Sequence, residues 1–177
     1  VFICNPNNPT GQYRGKGQDI IRCNIVRDGL LILDEAYTAF VDQSWSSIDL
    51  ISRGNVITVR TMTKDYALAG LRLGYAIANK GIINTLRRVR PPWNVNAVAQ
   101  KAGVVALRDA DYLERCKQKI GQAKQFLVSE LYRIGFTLAP SDTNFFLVKV
   151  GDAKAFRSTL LKRGILIRDC TSFGLPE

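Results

Sequence analysis

Short apolar runs, Leu30-Leu31-Ile32-Leu33 and Val56-Ile57-Thr58-Val59, constrain this chain more than any other feature. A strand with one solvated face alternates apolar and polar residues, whereas a run without alternation belongs to a strand covered on both faces, as parallel strands are. Val1-Phe2-Ile3-Cys4 has the same character, and Leu73-Gly74-Tyr75-Ala76-Ile77-Ala78 is a more alternating stretch. Turn formers and helical spacing separate these runs, so strands and helices alternate in the βαβ manner. The first crossover is expected to be a helix with Ile20, Ile21 and Ile25 on its apolar face, closed by Gly29. The expected fold class is α/β, with a doubly covered, mainly parallel sheet.

From Pro91 onward the pattern changes to long helices. Asp111 with Glu114 reads as a capping box, Leu113, Ile120, Leu127, Leu131 and Ile134 follow near helical spacing, and Gly135 ends the helix. A strand over 145–150, a helix over 153–163 stopped by Gly164 and a strand over 165–168 then predict a small α+β layer. The expected organisation is part of a large domain over 1–110, a connecting helix over 111–135 and the start of a second domain over 136–177. The chain opens inside a strand and closes on the loop Phe173–Glu177, so both ends read as cuts in a longer protein. Trp45 and Trp93 are expected to be packing elements, and Arg87, Arg88 and Arg90 a solvated basic face.

Composition narrows the chemistry. The chain has 177 residues, 46% hydrophobic and 23% charged, which is globular, and lacks the roughly 20 consecutive apolar residues of a membrane span. No membrane partner is expected. There is no histidine, so triads built on histidine and histidine metal sites are excluded, and catalysis falls to Lys, Asp, Tyr or Cys. The cysteines, Cys4, Cys23, Cys116 and Cys170, form no C-x-x-C pair and read as reduced thiols of a cytoplasmic protein. Lys plus Arg number 25 against 15 Asp plus Glu, a net charge of +10 that suits nucleic acid or anionic ligands. The basic residues are scattered and not interleaved with aromatics, which argues against a nucleic-acid-binding module.

Asp34, in Leu33-Asp34-Glu35-Ala36-Tyr37, stands at the carboxyl end of a buried strand, where open α/β sheets bind ligands. The equal alternative is that it caps the helix that follows. Thr61, Thr63 and Lys64 lie just past the next strand, with Arg72 eight residues beyond Lys64. A partly desolvated lysine there is a nucleophilic amine, and hydroxyls with a guanidinium suit a phosphate. In Asn5-Pro6-Asn7-Asn8-Pro9-Thr10-Gly11 the prolines stiffen the turn, so that Asn8 can be held toward a ligand oxygen.

Those segments, together with Ala69-Gly70-Leu71-Arg72-Leu73-Gly74-Tyr75, resemble in order and spacing the class I/II aminotransferase family of pyridoxal-phosphate (PLP) enzymes, fold type I. The resemblance implies part of a large three-layer αβα domain plus part of a small α+β domain, about the second half of a family member. It also implies roles: Lys64 forms the Schiff base with PLP and moves the proton; Asp34 pairs with the pyridine nitrogen. Tyr37 and Asn8 bond the cofactor's phenolic oxygen, and Thr61, Thr63 and Arg72 hold its phosphate. Pro91-Pro92-Trp93-Asn94-Val95-Asn96-Ala97 and Arg168-Asp169-Cys170-Thr171-Ser172-Phe173-Gly174 resemble threonine-phosphate decarboxylase of cobalamin biosynthesis, with its relative histidinol-phosphate aminotransferase as the alternative. In that branch Arg168 would lie near the substrate phosphate, and Asn144 and Asn8 would face the substrate. Asn144 reads equally well as a turn residue, and Arg168 has the reading of a surface residue closing a strand. No metal is implied. The whole protein would be a homodimer, and these residues alone would turn over little substrate.

Overall fold

The computed structural model describes residues 1–17 and 29–177, so the expected helix carrying Ile20, Ile21 and Ile25 lies outside the described residues. Strands β1 (Phe2–Cys4), β2 (Leu31–Asp34), β3 (Val56–Thr61) and β4 (Gly74–Ala78) form one sheet in that order. β1, β2 and β3 are parallel, with Cys4 opposite Asp34 and Asp34 opposite Val59. The unbroken apolar runs do what their pattern demands. Leu31, Leu33 and Val56 are almost fully buried and pack with Leu50, against which Ile3, Trp45 and Ile51 also lie. The polar interruption, Thr58, is buried too, and its hydroxyl is satisfied by Ser47 Oγ at 3.0 Å. Trp45 is a packing element as expected, and its indole N–H donates to the carbonyl of Arg14 at 3.1 Å.

β4 runs antiparallel to β3, with Thr61 opposite Gly74. No helix intervenes, because the intervening residues are spent on a stack of turns. Leu68 N–H donates to Met62 O, Met62 N–H donates to Leu73 O, and a 3₁₀ turn spans Ala69–Leu71. Gly74 suits the crossing point, since a Cβ there would sit 2.9 Å from the carbonyl of Arg60. Helices α1 (Lys80–Val89) and α2 (Ala97–Ala106) follow, their starts fixed by Asn79 and Asn96, whose side chains accept from the N–H of Ile82 and Ala99. Both caps are legible in the sequence as asparagines ahead of helical stretches. Arg87, Arg88 and Arg90 are exposed at the end of α1.

Helix α3 (Tyr112–Arg133) ends as expected at Gly135, whose φ of +92° allows a Schellman closure: Gly135 N–H donates to Tyr132 O and Phe136 N–H to Leu131 O. Its expected capping box is absent. Asp111 already has helical backbone angles (φ −90°, ψ −8°) and its side chain caps nothing. Beyond it, β5 (Thr137–Leu138) pairs antiparallel with β6 (Val148–Lys149), and α4 (Ala153–Leu161) starts at Asp152, whose carboxylate accepts from Ala155 N–H. The strand expected over 145–150 is therefore short. The one expected over 165–168 is not formed, since among the described residues no neighbouring strand offers it a ladder, and Ile165 and Leu166 stay exposed. Trp93, expected to pack, is instead 94% exposed, in a left-handed conformation of φ +53°. No helix among the described residues is long and apolar enough to cross a membrane, and no cluster of metal-ligating side chains is found among them.

Gly11 joins the amino-terminal loop to segment 141–143. Asp142 N–H donates to Gly11 O at 2.9 Å, and Asp142 Oδ2 accepts from Tyr13 N–H at 2.8 Å. Gly11 has φ +71°, and a Cβ on it would meet Ser141 Oγ at 2.0 Å. Gly11→Ala is therefore expected to lower unfolding free energy by about 2 kcal/mol or more. Gly15→Ala, where a Cβ meets nothing within 4 Å, should change it little. Denaturant unfolding of the two variants beside the parent checks this.

Candidate active site

Because β2 and β3 are parallel, their carboxyl ends lie side by side and deliver Asp34 and Thr61 to one edge of the sheet. Asn5 N–H donates to Asp34 O and Glu35 N–H to Val59 O, both at 2.9 Å, so the ladder runs on past the strands and fixes these ends. Asp34 Oδ1 accepts from Ala36 N–H at 3.0 Å, closing a tight turn, while among the described residues Oδ2 has no hydrogen-bond partner. One oxygen thus caps the turn, and the other is not used by it. Burial first, then the charge of Asp34, push the Cys4 thiol above its ordinary pKa, so it is protonated at neutral pH.

Lys64 is exposed at the turn after β3, and its Nζ stands 5.9 Å from the centre of the Tyr37 ring. Tyr37 is itself fixed edge-on by Phe145, with centroids 4.8 Å apart and planes at 75°. The Thr61 hydroxyl lies 2.9 Å from the Thr63 hydroxyl and 3.1 Å from the carbonyl of Leu73, and it accepts from Thr63 N–H at 3.1 Å. Arg72, next to Leu73, adopts a left-handed conformation (φ +57°) and donates to Ala69 O at 3.1 Å. Asp34, Tyr37, Thr61, Thr63, Lys64 and Arg72 thus belong to one edge, and Asn144 adjoins it through its neighbour Phe145. Asn8 is exposed at the tip of the amino-terminal loop, which is closed by Gly11 N–H on Asn7 O at 2.7 Å. Arg168 lies 5.5 Å over the Phe173 ring and 3.4 Å from Ser172 Oγ, contacts within its own segment.

Residues that the sequence reading did not single out support this edge from behind. Strand alternation sends Glu35 to the face opposite Asp34, where it is buried and pairs with Arg60 Nε at 2.8 Å. Burial would depress the Arg60 pKa, but hydrogen bonding and charge from Glu35 outweigh it and hold the guanidinium firmly protonated. Asp65, half-buried beside Lys64, has its carboxyl pushed up by burial, against hydrogen bonds from its own turn and the charge of Arg60. The alternation at Asp34-Glu35 was the signal that could have found the pair. A groove of about 480 Å³ lies elsewhere, between α3, residues 40–43 and residues 141–144; of the expected site residues only Asn144 lines it.

The sequence model described as aminotransferase class I and II matches residues 1–177. Histidinol-phosphate aminotransferase 2 of Carboxydothermus hydrogenoformans is 38% identical over all of this chain and 51% of its own length. The crystal structure of histidinol-phosphate aminotransferase from Sinorhizobium meliloti in complex with pyridoxal-5'-phosphate superposes with a TM-score of 0.89 at 31% identity, over 95% of this chain and 48% of that one. L-threonine-O-3-phosphate decarboxylase from Porphyromonas gingivalis superposes with a TM-score of 0.86 at 30% identity, over 97% and 55%. The chain spans about half the length of the curated relatives it matches. A fold of type I, a match from the first residue to the last and a cofactor common to the family lead to one conclusion: this chain belongs to the class I and II aminotransferases, a family of PLP enzymes.

Proposed function

We propose that the protein carrying this chain is a PLP-dependent transaminase of a phosphorylated amine, with histidinol phosphate as the amine and 2-oxoglutarate as the acceptor. The observation that carries this reading is the meeting of Lys64 with the Tyr37 ring at the edge where Asp34 and the Thr61–Thr63 hydroxyl pair also stand. Its donor set suits PLP: an exposed amine, a carboxylate with one oxygen unused by the turn, two hydroxyls and a guanidinium. When bound, the cofactor supplies an electron sink for the pair released at the amine-bearing carbon of the substrate. Lys64 would hold it and move a proton at that carbon. The Asp34 carboxylate would accept from the pyridine N–H and keep it protonated, Tyr37 and Asn8 would donate to the ring oxygen, and Thr61, Thr63 and Arg72 would hold the phosphate. Asn144 and Arg168 would serve the substrate. We also read 1–110 and 136–177 as parts of a cofactor domain and a small domain joined by 111–135, and the whole protein as a homodimer. Exposed Val89, Trp93 and Val98 give such an assembly apolar surface.

The branch resemblance of the sequence put the decarboxylase first, and the comparisons support the other order. Relatives at 36–42% identity over nearly all of the chain carry the name histidinol-phosphate aminotransferase. The decarboxylase stays as a second reading because the Porphyromonas enzyme superposes almost as well and over as much of the chain.

Two measurements on the protein carrying this chain test these readings. Lys64→Ala should lose the visible absorption band that PLP gives the parent and reduce turnover by about a millionfold, as loss of a covalent catalytic group does; a parent purified with PLP that shows no such band sinks the assignment. Incubation with histidinol phosphate and 2-oxoglutarate should produce glutamate, whereas aminopropanol phosphate released from threonine phosphate would establish the decarboxylase instead.

A further inference from the structure

Lys124 lies half-buried on the face of α3 that meets segment 141–145. Its ammonium donates to the carbonyls of Ser141 and Thr143, both at 2.6 Å. These carbonyls belong to an irregular stretch ahead of β6, outside any ladder, so an apolar residue in place of Lys124 would leave two acceptors without that donor. The same stretch is tied to the amino-terminal loop through Asp142 and Gly11, and the Ser141 and Thr143 hydroxyls both lie within hydrogen-bond reach of Phe145 O. Thr143 is 2% exposed. Phe145 then contacts Tyr37, and the Tyr37 ring faces the amine of Lys64.

We propose that Lys124 is a positioning residue of the active site: by clamping the carbonyls of Ser141 and Thr143 it sets the Phe145 ring, which in turn holds Tyr37 against Lys64. This rests on the reading of Lys64 and Tyr37 as cofactor residues. Burial lowers the Lys124 pKa, and the nearby carboxylates of Asp142 and Asp42 counter that. The carbonyl pair supplies the remaining reason for a cation at this place, since an ammonium with three donors can serve both carbonyls at once. A purely structural lysine would affect stability; this one also acts on the orientation of a specific ring.

The test reads the ring directly. Near-ultraviolet circular dichroism of the full-length protein without cofactor reports the fixed Tyr37 ring as the part of the spectrum lost in Tyr37→Phe. Lys124→Met should lose the same part, and the double variant should lose no more than either single one. Lys124→Arg, which keeps the charge, should restore most of it. In the loaded protein Lys124→Met should lower kcat/KM about tenfold through misplacement of the site. Leu138→Ala, a core change in the β5–β6 layer, serves as the stability control and should leave the Tyr37 signal in place. A Lys124→Met spectrum that keeps the Tyr37 part, or a Leu138→Ala spectrum that loses it equally, overturns the proposal. Should Lys124→Met fail to fold, Phe145→Leu takes its place: it leaves the clamp intact and removes the ring contact, so an unchanged Tyr37 signal overturns the proposal. Because the spectrum needs neither cofactor nor substrate, its failure is separate from failure of the transaminase reading, which the absorption band and product assays decide.

Discussion

The parallel register of β1, β2 and β3 is the constraint on which the rest of the molecule depends. Cys4, Asp34 and Val59 stand abreast, so each chain segment leaves the sheet at the same edge and in the same direction. Side chains alternate along a strand, and a slip of one residue would exchange Asp34 and Glu35 between the faces. The core resists that slip on one level, because Leu31 and Leu33 would have to leave their buried positions. The Glu35–Arg60 pair resists it on another: a carboxylate only 5% exposed would lose its partner, and an uncompensated buried charge typically costs about 3–5 kcal/mol. The same pair that contributes little net energy while intact is thus an effective lock on register.

Much of this was legible because it is local. Unbroken apolar runs announce covered strands, and the glycines at 135 and 164 announce helix ends; both have positive φ and close the expected carbonyls. What was not legible depends on partners distant in sequence. Strand direction is one case: the residues of β4 alternate in the same way whichever way they point, and only the turn stack between Met62 and Leu73 makes it antiparallel. Residues 165–168 are another, since β propensity without a ladder does not make a strand. Asp111 and Glu114 have the spacing of a capping box, but the backbone enters the helix one residue too early for the side chain to reach back.

The candidate site divides along the same line. Asp34, Thr61, Thr63 and Lys64 follow directly from strand ends, so their placement could be read from the pattern. Lys124 offered no such signal: it is one lysine among several on α3, and its importance lies in carbonyls 17 and 19 residues further on. Arg168 was drawn from family resemblance alone, and in the structure its contacts stay within its own segment; Asn8, read from the proline-stiffened turn, is exposed at the tip of its loop.

The two activities considered for this protein also divide according to what the chain carries. Histidinol phosphate and threonine phosphate share an amine and a phosphate monoester, and only the second bears a carboxylate on the amine-bearing carbon. On the proposed reading, Lys64 for the amine and Arg168 for the phosphate would serve either substrate equally well. The near-equal superposition on an aminotransferase and on a decarboxylase, TM-scores of 0.89 and 0.86, is the structural counterpart of that shared requirement. Choice of reaction then rests on which bond at that carbon is aligned with the electron sink, and a cation that grips the carboxylate is what alters the alignment. On the proposed reading the edge built by β2 and β3 would serve either reaction, and specificity between them would be set by the groups that approach this edge from outside it.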